Sequence, residues 1–344
     1  MGGPTGLDEG RVARWLEDTI GLRAPIAATL ITGGRSNLTY RVEDATGRAV
    51  ALRRPPASHV LPTAHDVARE FRILAGLSPL GVPVARPLAL CEDTTVTGAP
   101  FYVMEFVEGV ILRDRAGATA AFDEPGRHAV GGHLAATLAE LHEVTPEAAG
   151  LSDLARHDGY VERQLRRWRT QFEQTRVPEA DVENRVLEVA DRLGTDVPPA
   201  QRVSIVHGDY RLDNTVLAPD GTVRAILDWE IGTLGDPLAD LGTLLCYWAE
   251  PGDPAAALLG VAPTTAPGFM TRDEVTAAYA SHSDLDLGRV AYYQAFAYWR
   301  LACILQGVFA RYRAGATAGD AGSVEGFPAH VALLADLALA TLER

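Results

Sequence analysis

The chain has 344 residues, 47% apolar and 22% charged, a composition that excludes a disordered or collagen-like chain and suffices for one large or two smaller packed domains. All 31 basic residues are arginine and there is no lysine, so 45 acids leave a net charge of −14, which argues against binding nucleic-acid phosphates or an anionic membrane surface. Three widely spaced cysteines (Cys91, Cys246 and Cys303) form neither a disulfide framework nor a zinc pattern, and neither a secretory signal nor a membrane-length apolar run occurs, so the expectation is a cytoplasmic protein.

In chain order, residues 7–20 carry Leu7, Val12, Leu16 and Ile20 near helical spacing and predict an amphipathic helix. Leu38, Tyr40 and Val42 then alternate with polar neighbours, 44–47 reads as a turn, and 49–53 resumes the strand pattern, so a β-hairpin is expected. Residues 66–77 read as a helix with Val67, Phe71 and Leu74 on one face, and 83–89 and 101–106 as further strands. Beyond 109 the predicted elements are mostly helices, at 126–143, 159–173, 178–193, 236–249, 271–282, 287–313 and 328–343. The exception is 203–228, which reads as three short strands, and 251–269 and 315–327 read as loops. No internal repeat is present. The composition shift places a boundary near residue 107, giving a β-rich 1–107 and a helical 108–344.

The chemistry concentrates between residues 207 and 230. An apolar strand leads into His207-Gly208-Asp209-Tyr210-Arg211-Leu212-Asp213-Asn214, and a turn at 219–221 is followed by a second strand ending in Asp228-Trp229-Glu230. A turn centred on Asp220-Gly221 predicts a register in which Asn214 faces Leu227, beside Asp228. An amide and a carboxylate brought together there are hard oxygen donors suited to Mg²⁺. Asp209, five residues before Asn214, would accept a proton from a substrate hydroxyl. The pattern H-x-D-x-x-x-x-N followed by a metal-binding Asp is that of kinase-type phosphoryl transfer. Upstream, Val50-Ala51-Leu52-Arg53 stands where a kinase has V-A-I-K, with Ala51 and Arg53 on one strand face. Glu70 is placed to pair with Arg53, although a surface ion pair is the other reading of those two residues. Gly33-Gly34-Arg35-Ser36-Asn37 offers backbone amides to phosphate. The stretch 101–109, with Glu105 and Val107, reads as a kinase hinge or as a plain linker.

The chain resembles the aminoglycoside phosphotransferase and choline kinase superfamily, which has a protein-kinase-like fold. It is most similar to the kinase-like domain fused to some acyl-CoA dehydrogenases and to its free-standing bacterial relatives. Segments 34–40, 52–56, 99–109, 161–165 with Trp168, 207–214, 227–230 and 235–242 carry the likeness. It implies an α+β fold of two lobes, a small β-rich N-lobe and a larger helical C-lobe. It implies Asp209 as base within a loop opened by His207, Asn214 and Asp228 as Mg²⁺ ligands, and Arg53 and Glu70 as the phosphate-binding pair. Gly34, Ser36, Asn37, Glu105 and Val107 would complete the nucleotide site, and Asp240 would brace the catalytic loop. The implied substrates are ATP, with GTP not excluded, and a small-molecule hydroxyl, hydroxyacyl-CoA among the candidates. The sequence departs from the pattern in carrying Arg53 for the usual lysine and Trp229-Glu230 after the metal-binding Asp. Only 11 residues separate Asp228 from Asp240, which leaves no room for a long activation loop and points to a small-molecule kinase.

An antibiotic phosphotransferase for cationic aminoglycosides and a nucleotide-binding pseudoenzyme remain alternatives at this level. Arg163, Arg166, Arg167 and Arg169 on one predicted helix read as a solvated face or as a grip on an anionic substrate. Tyr292, Phe296 and Trp299 recur at i, i+4, i+7 and read as core or as a pocket wall. His142, closing Leu138-x-x-Leu141-His142, reads as structural, and Cys246 and Cys303 as inert core thiols.

Overall fold

The structure, a computed structural model, describes residues 7–31, 37–56, 66–155, 159–175, 180–257, 262–314 and 326–344. Its contacts divide the chain into two units. The first comprises Met1–Gly109, Ala148–Leu151 and Arg224–Gly232, and the second comprises Val110–Glu147, Ser152–Val223 and Thr233–Arg344.

The first unit begins with helix α1 (Glu9–Ile20), where Asp8 accepts from the Arg11 amide at the N-terminus and Gly21, at φ 69°, closes the C-terminus. Its Val12 and Leu16 pack with Tyr40, Val50, Phe101 and Val103, which come from the sheet beneath it. That sheet is built from β1 (Ala27–Ile31), β2 (Leu38–Glu43), β3 (Ala49–Arg54), β4 (Pro87–Cys91) and β5 (Phe101–Glu105), with a helical turn, α3 (Thr94–Thr97), between the last two. The strand order is β1-β2-β3-β5-β4, antiparallel throughout. Between β2 and β3 the Asp44 amide donates to the Arg48 carbonyl and Gly47 adopts φ 85°, a three-residue turn that needs the left-handed region at its last position. The resulting register sets Arg53 opposite Thr39 on one neighbouring strand and Tyr102 on the other. Helix α2 (Val67–Leu77) starts at an Asp66 cap and buries Val67, Glu70, Ile73, Leu74 and Leu77. An acid thus stands in the apolar stripe, while Phe71, predicted for that face, is only half-buried.

The second unit is helical, with α4 (Arg115–Ala121), α5 (Glu124–Glu143), α6 (Tyr160–Gln174), α7 (Ala180–Thr195), α8 (Pro237–Tyr247), α9 (Arg272–Ala280), α10 (Val290–Arg313) and α11 (Phe327–Leu342). Short strands punctuate the middle of the chain: β6 (Ser204–Val206), β7 (Thr215–Leu217), β8 (Val223–Ile226) and β9 (Thr233–Gly235). Strand β6 pairs antiparallel with β9. Neither α4 nor β9 is foreseen from sequence. Helix α4 is rich in Gly and Ala, without a strong apolar period, and starts at an Asp114 cap; β9 is too short to show alternation. The turn after β7 also differs from expectation. Ala218 N–H donates to Thr222, and Gly221, at φ 82°, forms a bulge. The closing pair is therefore Ala218 with Thr222, one residue out of the predicted register, so Asn214 facing Leu227 does not follow from this turn.

Helix α10 is apolar on most of its circumference and is buried accordingly. Tyr292 and Trp299 donate to the carbonyls of Leu193 (2.9 Å) and Val186 (3.0 Å), which makes the aromatic stripe core rather than pocket wall. Helix α8 approaches α10 at Gly242, where an added Cβ would lie 2.9 Å from the Gln294 amide nitrogen and closer still to the Tyr293 carbonyl. No described helix is long and apolar enough to cross a membrane.

Candidate active site

In the first unit, strand parity and helix position converge on Arg53. Its Nε donates to Glu70 Oε2 at 2.8 Å, Nη1 to Thr39 Oγ1 at 3.2 Å, and Nη2 to Asp228 Oδ1. The Arg53 and Glu70 side chains are only 10% and 2% exposed, so they are not a surface ion pair. Glu70 also accepts from Asn37 Nδ2 (2.6 Å) and the Tyr102 hydroxyl (3.0 Å). Burial pushes the Glu70 carboxyl above its ordinary value, with Arg53 and the Tyr102 hydrogen bond opposing it. Burial alone would weaken the Arg53 cation, but Glu70, Tyr102, Asp228 and Glu230 more than reverse this and hold it charged. All three guanidinium nitrogens are engaged on three different elements, a geometry that a lysine ammonium cannot reproduce.

Asp228 is a non-glycine residue at φ 63°, a left-handed conformation costing about 1–3 kcal/mol that persists only where surrounding contacts impose it. The buried Trp229 supplies such contacts, its indole donating to Ile226 O at 3.0 Å while its own carbonyl accepts from Gly232. Of the other residues expected around nucleotide, Gly34 and Ser36 lie outside the described residues. Asn37 is buried with its amide nitrogen on Glu70, and among the described residues its Oδ1 has no partner. Glu105 ends β5 with its amide on Arg86 O and its carboxylate on the Arg86 side chain, and Val107 is half-buried two residues further on.

In the second unit, β6 delivers the loop 207–214 onto α8. Asp240 of α8 accepts the His207 amide at 2.5 Å and the Gly208 amide at 2.7 Å, one on each carboxylate oxygen. The Asp209 amide donates to His207 Nδ1 at 3.2 Å. Burial would raise Asp240, but His142, His207 and the Gly208 amide together hold it below the ordinary carboxylate range. His142 lies 3.6 Å from Asp240 through Nε2 and bonds the Tyr279 hydroxyl at 2.8 Å through Nδ1, so it belongs to this brace. Asn214 Nδ2 donates to both the carbonyl and Oδ2 of Asp209 at 2.9 Å, and Arg211 Nε reaches the same Oδ2 at 3.1 Å. Side-chain bonds from the described residues thus converge on one carboxylate oxygen of Asp209, Oδ2.

Arg211 also pairs with Asp213 at 3.1 Å and stacks over Tyr247 with its Cζ 4.8 Å from the ring centre. These groups open into a small, partly open pocket lined by Arg113, Arg211, Asp213, Tyr247, Trp248 and Thr264 among others. The two arginines of the pocket were not singled out from sequence. Arg211 could have been, as the cation inside the catalytic loop, whereas nothing local distinguishes Arg113. The arginines of α6 are divided in their roles: Arg169 pairs with Glu173 and Asp191, and Arg167 stacks on Trp168.

For a metal, the test is the donor set. Asn214 has its amide nitrogen committed to Asp209, which leaves its oxygen, and Asp228 has Oδ2 beyond the bond to Arg53. Each residue, taken in its own unit, offers one hard oxygen of the kind Mg²⁺ takes; among the described residues no group of three or more acid, His or Cys side chains gathers.

The phosphotransferase enzyme family model matches residues 27–268, and the chain belongs to that family. Mouse acyl-CoA dehydrogenase family member 10 is 32% identical over 327 residues, which is 92% of this chain and 30% of the mouse protein. The chain therefore spans about a third of the length of such relatives. A crystal structure from Ralstonia eutropha JMP134, described among the aminoglycoside phosphotransferases, aligns with TM-score 0.77 and 28% identity over 97% of this chain and 99% of that one. Amicoumacin kinase in complex with AMP-PNP, Ca²⁺ and Ami aligns with TM-score 0.59 over 95% and 94% of the two chains; at 17% identity it shows the fold alone. The fold is thus kinase-like, with an antiparallel N-lobe sheet and a helical C-lobe, and the family activity is phosphotransfer.

Proposed function

We propose that this chain is a Mg²⁺-dependent small-molecule kinase that moves the γ-phosphoryl group of ATP to an acceptor hydroxyl. One observation carries the reading: the Asp209 carboxylate is clamped on Oδ2 by Asn214 and Arg211, on a loop whose amides are fixed by Asp240. Asp209 Oδ1 takes the acceptor proton as the acceptor oxygen bonds to the γ-phosphorus, and the bond from that phosphorus to the bridging oxygen breaks, releasing ADP. Arg53, oriented by Glu70, offsets phosphate charge, and little else is asked of the protein than positioning and electrostatics. Asn214 and Asp228 are the residues that would hold Mg²⁺, which would supply further charge neutralisation to the phosphates.

The pocket beside Asp209 supports an acceptor with an anionic group and an apolar body. Among the described residues it presents two arginines, a tyrosine and a tryptophan, and the one acid among them, Asp213, is already paired with Arg211. A polycationic aminoglycoside would meet Arg113 there, while Asp213 is already neutralised by Arg211. Hydroxyacyl-CoA has the favoured character, with anionic phosphates and an acyl chain.

The test is transfer from labelled ATP across hydroxyacyl-CoAs, aminoglycosides and amino alcohols, with Asp209→Asn alongside. The expected result is product with an anionic acceptor and a loss of about 10²–10⁴-fold in turnover for Asp209→Asn at unchanged nucleotide affinity. Retained turnover in that variant would remove Asp209 from its role. Mg-ATP binding without transfer to any acceptor would instead favour a binding module.

A further inference from the structure

Arg300 stands on α10, 7% exposed, in a stretch that otherwise reads as core. Its Nη2 donates to the carbonyl of Gly208 at 2.5 Å and lies 3.4 Å from Thr243 Oγ1. A buried guanidinium is costly to desolvate, and here it is directed at a neutral backbone oxygen of the catalytic loop. That carbonyl shares a peptide unit with the Asp209 amide, whose hydrogen is held by His207 Nδ1. The preceding peptide unit is held through the Gly208 amide by Asp240. Gly208 itself sits at φ 84°, where glycine imposes no steric restraint of its own and the next peptide plane is free to tilt.

We infer that Arg300 is a positioning residue for the catalytic base: it pins the Gly208–Asp209 peptide plane and so aims the Asp209 carboxylate. A tilt of roughly 20° in that plane would carry the carboxylate about 1 Å, a displacement that costs on the order of 10²-fold in rate. Asp240 and Arg300 together grip Gly208 from both polar groups, an acid on its N–H and a cation on its C=O. The inference rests on Asp209 being the base, but the grip on the peptide plane is testable independently of that assignment.

The experiment compares Arg300→Met, Arg300→Lys and Asp209→Asn in the full chain. It reads residue-resolved amide hydrogen exchange, Mg-ADP affinity, and kcat and KM for phosphoryl transfer from Mg-ATP to the most active acceptor, or to water if none is found. For Arg300→Met, exchange at the Asp209 amide should rise at least tenfold while amides of α8 and α10 keep their rates. Its kcat should fall about 10²-fold with KM for Mg-ATP and Mg-ADP affinity unchanged. Arg300→Lys should recover part of both effects, since an ammonium can still donate to one carbonyl; it also serves as the deciding variant if the methionine chain does not fold. Wild-type Asp209 exchange and kcat in the variants would overturn the inference. So would a rise in exchange spread over α8 and α10, which would make Arg300 a packing residue. Full turnover in Asp209→Asn would overturn the base assignment while leaving the exchange result to stand or fall alone.

Discussion

Removing the Glu70 carboxylate tests the first unit's polar core most directly. Oε1 accepts from Asn37 and Oε2 from both Arg53 and Tyr102, all buried. Glu70→Ala leaves a buried guanidinium with Asp228 as its remaining carboxylate partner and strands the Tyr102 hydroxyl and the Asn37 amide. Breaking a buried ion pair from one side costs about 3–5 kcal/mol, and each stranded polar group about 1–3 more, although these do not add fully. Because Asp228 still holds Nη2, the expected loss is about 4 kcal/mol, within the one-sided range for a buried pair. Glu70→Gln should be milder, about 1–3 kcal/mol, because the carboxamide keeps an oxygen for Arg53 and Tyr102. Its new N–H₂ would face Asn37, whose Oδ1, without a partner among the described residues, can turn to accept it. The assay is urea unfolding at pH 7 for both variants, with the m-value checked for constancy. A loss below about 1 kcal/mol for alanine would refute the buried-network account, since ordinary surface changes lie within that range. A glutamine as damaging as alanine would refute the compensating turn of Asn37.

Arg53→Lys should weaken Mg-ADP binding about tenfold, or 1.4 kcal/mol, because the fork that meets Thr39, Glu70 and Asp228 is lost; Arg54→Lys, at a residue whose Nε donates to Pro55 O at 3.1 Å, should leave affinity unchanged, and equal effects in calorimetry would reject the phosphate role of Arg53. Asp240, with its carboxyl held below the ordinary 3.8, contributes stability that is complete above that value and is lost as pH falls through the lowered one. Asp240→Asn should therefore lower Tm at pH 7 and flatten the decline below about pH 4, whereas melting curves that run parallel to wild type across that window would contradict the sign.

What the sequence disclosed follows the range of the interactions. Asp209 and Asn214 were readable because they lie five residues apart on one loop, where spacing alone sets their meeting. Arg53 with Glu70 was readable from strand parity and the following helix. The bond from Arg53 to Asp228 spans 175 residues and depends on tertiary folding that no local pattern encodes. Tyr102 joins the network only through the β3–β5 register, and that register had no sequence marker. The one-residue error at the turn after β7 came from a bulge at Gly221, which changes pairing without changing the apolar pattern. Arg300 was hidden most completely. It lies 32 residues past the 268 where the family match ends, in a helix whose apolar period reads as core. The available signal was the lone cation in the stretch 290–310, which a purely apolar role would not need.

The missing side chain at Gly242 works as a caliper. Asp240 precedes it by two residues on α8, and Arg300 follows Tyr293, the residue it touches, by seven on α10. The spacing of the two helices, and with it the jaw opening around Gly208, is therefore gauged by the absence of one methyl group. A helix-interior glycine usually invites replacement by alanine as a stabilising change of about 0.4–1 kcal/mol. Here the same replacement would widen the jaws, so a chain made sturdier elsewhere by that strategy would lose its aim at this one point.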